Sequence, residues 1–310
     1  MITPPNRILC PVDFSGASAK ALAYAAALAR WHHAEITALY VHQMQMSPLL
    51  TVGPYVGAVT PAVLSDADRA QLEAALTRFA TSESTRDVRV KTVLLEDVNV
   101  PASILSHVEA MRPDLVVMGT EGHSGLERLM LGSVAERVLR RATCPVLTVS
   151  PGARRGLSPD SIREVLCPID FSTSSAAALE WAASWGAKAT ARLTALHVVE
   201  MPPEASDPPL SEYIALRDNL IRDARQAMEA TIPDRIRQSE TFDEHVVVGR
   251  AGSEILRFAE AGSSDLIVMG VRGRGAVDLA VFGSATHQVV RRAGCPVLAV
   301  HPEPSQARVE

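Results

Sequence analysis

The octapeptide ILCPVDFS at Ile8–Ser15 returns as VLCPIDFS at Val165–Ser172, 157 residues further on. A phrase repeated at that distance confines the chain to folds that can be built twice. The echo runs well past eight residues. Ala21–Met44 (ALAYAAALARWHHAEITALYVHQM) is answered by Ala178–Met201 (ALEWAASWGAKATARLTALHVVEM) at the same offset. Pro113–Gly122 (PDLVVMGTEG) is answered by Ser264–Gly273 (SDLIVMGVRG), and RRATCPVLTV by RRAGCPVLAV, now 151 residues apart. The first copy therefore carries six extra residues between Met44 and Pro113. Two modules, 1–150 and 151–310, suit a length of 310 residues, which exceeds the usual size of one core. The seam is SPGARRGLSPD (Ser150–Asp160), rich in Pro, Gly and Ser as linkers are.

Inside each copy two periods alternate. Ile8–Val12 is a short apolar run, the mark of a strand buried on both faces. Ala17–Ala29 has Leu and Tyr at helical spacing, and Ser15 stands where an N-cap belongs. The pattern then predicts a strand over Ile36–Val41, a helix over about Leu64–Ser82, a strand over Val88–Leu95 and a helix over Ala102–Met111. A strand over Leu115–Met118, a helix over Ser133–Arg141 and a strand over Pro145–Val149 close the module, and the second copy repeats the order. Strands alternating with helices pair in parallel through right-handed crossovers. The expected fold is α/β, two tandem doubly wound parallel-sheet (Rossmann-like) domains.

Composition narrows the function classes. With 47% hydrophobic and 21% charged residues, the chain is ordered rather than intrinsically disordered. A net charge of −5 argues against a nucleic-acid or anionic-membrane partner. No apolar run reaches the length of a membrane span, and Met1–Arg7 lacks the features of a secretory signal, so the expected location is cytoplasmic. Cys10, Cys144, Cys167 and Cys295 each precede a proline and form no C-x-x-C pair. They read as small apolar residues at strand edges rather than metal ligands.

In a doubly wound sheet, ligands bind beyond the carboxyl ends of the strands, where strand order reverses. Asp13 and Asp170 lie at that end of the first strand of each copy. The fourth strands exit into GTEGHSGLERLMLGS (Gly119–Ser133) and GVRGRGAVDLAVFGS (Gly270–Ser284), both reading G-x2-G-x9-G-S. The pattern is Gly119, Gly122, Gly132 and Ser133 in the first copy, and Gly270, Gly273, Gly283 and Ser284 in the second. Glycines at a strand exit let backbone N–H groups approach an anion closely. The final Gly-Ser opens a helix, whose unpaired amides and dipole favour phosphate. Ser133 and Ser284 either add a hydroxyl donor or cap that helix. His123 and Arg274 follow the second glycine and are the side chains best placed to reach a phosphate. Loop charge differs: Glu121, Glu127 and Arg128 give −1 with His123 neutral, whereas Arg272, Arg274 and Asp278 give +1. An anionic ligand is therefore expected to prefer the second site, with protonation of His123 narrowing the gap.

At these residues the sequence resembles the universal stress protein family, in its tandem-domain, nucleotide-binding branch, over about residues 5–150 and 161–302. The resemblance implies that the glycine pattern cradles the phosphates and ribose of ATP. It also implies that Asp13 and Asp170 lie near base and ribose, and that Val41 and Val198 meet adenine through their backbone. One adenine nucleotide per domain (ATP, or ADP or AMP, with or without Mg) and a regulatory role in the stress response follow from it, with no catalytic residue. The final strands, CPVLTVS and CPVLAVH, would then pair antiparallel across a pseudo-two-fold, so that one chain mimics a dimer and leaves a further homodimer open. One departure stands out. The first copy has LEDVNVPAS where the second has VVGRAGSE and the family usually carries a glycine.

Each residue also has a plainer reading. Asp13 caps a helix; Val41 and Val198 are core residues; Arg140–Arg141 and Arg291–Arg292 offset helix dipoles. His42 and His197 occupy non-equivalent positions in the second strand, which argues against a shared metal or acid–base role. The uncharged stretch Gln43–Val59 is a lid, a contact surface or packing over the sheet. Two rival classes stand beside the regulatory reading: a slow ATPase or other nucleotide enzyme, and a ligand-free interaction scaffold. Against an enzyme, there is no Walker A G-x4-G-K-[ST], and no nucleophile–base or paired-carboxylate constellation recurs in both halves.

Overall fold

The computed structural model describes residues 4–44, 64–122, 131–153, 161–202, 210–271 and 283–301. The short apolar runs become the central strands. In the first half these are β1 (Arg7–Pro11), β4 (Leu115–Gly119) and β5 (Val146–Val149), buried along nearly their whole length. β2 (Glu35–Gln43) and β3 (Val90–Asp97) continue the sheet, and the helices are α1 (Gly16–His32), α2 (Asp66–Ala80), α3 (Val100–Met111) and α4 (Ser133–Arg141). The second half repeats this as β6 (Glu164–Pro168), α5 (Thr173–Ala189), β7 (Arg192–Val199) and α6 (Leu210–Thr231). A short α7 (Asp234–Arg237) precedes β8 (Phe242–Val248), α8 (Ala251–Ala261), β9 (Leu266–Gly270), α9 (Ser284–Arg292) and β10 (Val297–Val300).

All ten strands join one sheet, in the order β3-β2-β1-β4-β5-β10-β9-β6-β7-β8. Every pairing is parallel except β5 with β10, which is antiparallel and sets Leu298 opposite Leu147. The expected junction of the two final strands is therefore present inside one chain. Helices cover both faces, and each of the two apolar layers draws residues from both halves. Among the described residues no helix is long and apolar enough to cross a membrane.

Local chemistry sets the element ends. Ser65 Oγ accepts from the Asp68 amide, so α2 starts two residues later than its apolar pattern suggests. Thr85 Oγ1 donates to the Ala80 carbonyl at 2.6 Å, forming a 3-10 turn that delays β3 until Val90. Small residues let α1 lie low on the sheet: Ala21, Ala25 and Ala29 are all buried, and β4 passes so near that a Cβ on Gly119 would sit 3.1 Å from that of Ala17.

Candidate functional site

Strand order in each half reverses between β1 and β4, and between β6 and β9, which opens a crevice at their carboxyl ends. Asp13 stands there, at the exit of β1. Its Oδ1 accepts from the Ser15 amide at 3.0 Å and from the Ser15 hydroxyl at 2.5 Å, while Ser15 Oγ caps α1 by accepting from the Ser18 amide. Asp170 repeats the arrangement, accepting from the Ser172 amide at 3.1 Å and the Ser172 hydroxyl at 2.6 Å. The helix cap is thus the serine in both halves, and the aspartate organises the cap.

Between each aspartate and serine lies a phenylalanine with left-handed backbone, φ 63° at both Phe14 and Phe171. A bulky residue in that region costs on the order of 1–2 kcal/mol. Ring packing offsets the cost: Phe14 lies 4.6 Å from Tyr40 and 5.4 Å from Phe79, and Phe171 lies 4.4 Å from His197. The turn brings Asp13 within electrostatic reach of Tyr40. Burial first, and then the Asp13 charge, push the Tyr40 phenol above the ordinary range. At the equivalent position His197 donates from Nδ1 to the Ile169 carbonyl at 2.7 Å, a contact that fixes the ring beside Asp170.

The far wall is the strand-four exit. A Cβ placed on Gly122 would lie 2.9 Å from Asp13 Oδ2, so glycine at this position lets the loop pass directly over the carboxylate. The Gly132 amide returns to the Thr120 carbonyl at 2.8 Å, and the Gly283 amide to the Val271 carbonyl at 3.3 Å. Each loop therefore leaves and re-enters at one point. There α4 and α9 begin, with glycine N-caps that supply no side-chain hydrogen bond, in contrast to the serine-capped α1 and α5. Ser133 and Ser284 are the first helical residues, exposed, and not the caps. First-turn amides without a side-chain acceptor are the feature of a helix start that receives anions.

Val41 and Val198 form the third wall through alternation. The Leu39 carbonyl accepts from the Val12 amide toward β1, and the Leu196 carbonyl accepts from Ile169 toward β6. Backbone groups two residues on point the same way. The N–H and C=O of Val41 and Val198 therefore face the crevice beyond the ends of β1 and β6, because the paired register stops at Pro11–Leu39 and Pro168–Leu196. In the first half the crevice is bounded by Asp13, Gly122 and the Gly132–Ser133 start of α4, with Val41 on the neighbouring strand, while Gly119 packs against Ala17. Asp170, Val198, Gly270, Gly283 and Ser284 follow the same elements in the second. His123, Gly273, Arg274 and most of Gln43–Val59 lie outside the described residues.

The loop after β3 explains the first copy's departure. Its extra residue is accommodated by Asp97, which accepts from the Asn99 amide at 3.0 Å and the Ser103 hydroxyl at 2.7 Å, and by Asn99, which caps α3. Those hydrogen bonds hold the Asp97 carboxyl below its ordinary range. The second copy uses Gly249 there, and Glu200 Oε1 accepts from the Ala251 amide at 2.7 Å.

Other concavities lie elsewhere. An open cleft of about 500 Å³ at the amino ends of β6 and β9 is lined by Arg163, Glu164, Asp265 and Arg292, and a second of about 260 Å³ lies between α5, α7 and β8. Neither touches the residues above. All four cysteines are free and buried, and burial pushes the thiols of Cys10, Cys144 and Cys295 up to about 12 and that of Cys167 higher still. No cluster of metal-ligating side chains occurs among the described residues.

Comparison with known proteins agrees with the geometry. The model of the universal stress protein family matches residues 5–150 and again 161–301. A universal stress protein of Methanocaldococcus jannaschii is 37% identical over 148 residues, covering 46% of this chain and 81% of its own. A universal stress protein of Mycolicibacterium smegmatis is 28% identical over 302 residues, covering 95% of this chain and 97% of its own. In fold, the chain is similar to the crystal structure of a universal stress protein from Archaeoglobus fulgidus, with a TM-score of 0.65, 22% identity and 96% coverage of both chains.

Proposed function

This chain belongs to the universal stress protein family, and from that premise we propose that it is a regulatory nucleotide-binding protein of the stress response, with one adenine-nucleotide site in each of two domains, 1–150 and 151–310. The observation that carries the reading is the approach of Gly122 to Asp13 beside an uncapped helix start. A carboxylate that accepts hydrogen bonds suits ribose hydroxyls, and the first-turn amides of α4 and α9 suit phosphates. In this reading the phosphates lie against Gly132, Ser133 and their counterparts Gly283 and Ser284, with His123 and Arg274 flanking them. Ribose lies at Asp13 and Asp170, and the adenine edge meets the backbone of Val41 and Val198. ATP is the expected ligand, and any Mg would arrive with its phosphates, which supply the oxygen ligands that ion prefers.

Binding rather than turnover is the proposed activity, because Asp13 Oδ1 and Asp170 Oδ1 are engaged by their own serine caps. The test is mass spectrometry of nucleotide released from the freshly purified protein, followed by calorimetric titration with ATP. The expected result is adenine nucleotide at two per chain. A protein that arrives empty and takes up no ATP is the ligand-free scaffold instead. Hydrolysis near the roughly 10 per second typical of enzymes, lost on Asp13→Ala and Asp170→Ala, makes it an ATPase.

A further inference from the structure

The two helices that begin at the aspartate turns end against each other. At the last turn of α1, the Trp31 ring lies 5.8 Å from Trp185 of α5, and Trp181 lies 5.9 Å from Trp185. His32 is wedged among them, 4.6 Å from Trp31 and 5.8 Å from Trp185, with only 6% of its surface exposed. Its Nδ1 is 3.3 Å from the Lys188 ammonium, and its Nε2 is buried without a hydrogen-bond partner. An ammonium has no lone pair, so Lys188 donates and Nδ1 accepts. The ring proton must then sit on Nε2, and the imidazole is neutral.

The charged and titratable neighbours of His32 oppose a second proton. Lys188 faces it from α5, and His33 adjoins it at the helix cap. Arg30, two residues earlier, is turned away to the Ser84 carbonyl. The apolar layer that holds Trp185 also contains Leu147 and Val149 of β5 and Leu298 and Val300 of β10. Burial first, then Lys188 and His33, lower the imidazole from 6.5 to about 4. The repeat does not duplicate the device, since Ala189 stands at the position equivalent to His32.

We propose that His32 is an acid-sensitive latch between the two halves of the chain: neutral, it ties α1 to α5 through Lys188 and the Trp185 ring, and protonated, it releases them. A proton on Nδ1 takes the lone pair that Lys188 uses, and sets two cations side by side. Because the folded value lies below the ordinary one, the latch contributes fully above about pH 6.5 and is lost as pH falls through about 4. It stands independently of nucleotide binding.

The chain's three tryptophans, Trp31, Trp181 and Trp185, are all in this cluster, so their emission reports on it alone. The experiment titrates emission from about pH 7 to about pH 3 alongside far-UV circular dichroism, in the native protein, His32→Phe and Lys188→Met. The expected result is an emission step that precedes loss of helix, vanishes in His32→Phe and moves to higher pH in Lys188→Met. A native protein with no such step, a step that coincides with loss of helix, or one that persists in His32→Phe overturns the proposal. Should His32→Phe fail to fold, Lys188→Met decides, because Lys188 is exposed: an unmoved midpoint overturns the latch.

Discussion

Glycines that look alike in the repeated loop do different physical work. A Cβ on Gly270 would lie 2.7 Å from Ser174 C and from Ser174 Cβ, so this glycine exists to let β9 end flat against the first turn of α5. Gly119 does the same, less tightly, against Ala17. Gly122 instead faces Asp13 Oδ2 across the crevice, where the neighbour is a carboxylate and not backbone. One substitution therefore has two outcomes. Gly270→Ala should cost about 1–3 kcal/mol of stability, the usual penalty for overpacking, read as a lower urea midpoint with or without ATP. Gly122→Ala should leave the urea midpoint within about 0.5 kcal/mol while weakening ATP binding at the first site. A Gly270→Ala protein as stable as the native one would mean that α5 moves aside freely.

At the scale of elements, the decisive contrast is between helix starts. α1 and α5 are closed by their own serines, and α4 and α9 present first-turn amides with no side-chain cap. Gly132→Asp would put a carboxylate where a phosphate is proposed to lie. The expected effect is about tenfold weaker ATP binding at the first site, matching the 1–2 kcal/mol that a charge at a helix end can carry; calorimetry on a protein whose second site is disabled by Asp170→Ala measures it. Unchanged affinity would place the phosphates elsewhere. Much of this arrangement was legible in the residues. Five-residue apolar runs and Ala-rich helical spacing marked the strands and α1, and a twice-written glycine pattern marked the crevice. Other features carry no local signature. Phe14 adopts φ 63° because Tyr40 and Phe79 hold its ring, and neither neighbour is close in sequence. Ser133 reads as a cap until the chain places Gly132 in that role. His32, in a WHH run at a helix end, acquires meaning only from Lys188, 156 residues away.

Across the whole molecule, the strand junction at β5 and β10 joins the two copies into one sheet. Leu147 and Leu298 oppose each other there, both with no exposed surface, and the apolar layers on either side of the sheet run through the junction. Polar ties add to it: the Thr148 hydroxyl donates to the Val297 carbonyl at 3.1 Å, Ser150 to Ala293 at 3.0 Å, and His301 Nε2 to Leu139 at 2.8 Å. A chain of 310 residues lies beyond the roughly 150 within which two-state unfolding is usual, so independent melting of the halves is the ordinary expectation. The shared core argues otherwise. An opening at the junction would expose the inner faces of β5 and β10 together, and neither half could keep its own layer covered. At neutral pH, scanning calorimetry should therefore give one transition whose van't Hoff and calorimetric enthalpies agree, coincident with the loss of tryptophan emission from the α1–α5 cluster. Leu298→Ala should lower that single midpoint through a loss of about 2–5 kcal/mol, with emission and far-UV signals falling together. Two resolved transitions in the native protein, or a Leu298→Ala variant in which half of the helical signal melts at the native temperature, would show that each copy holds its core alone.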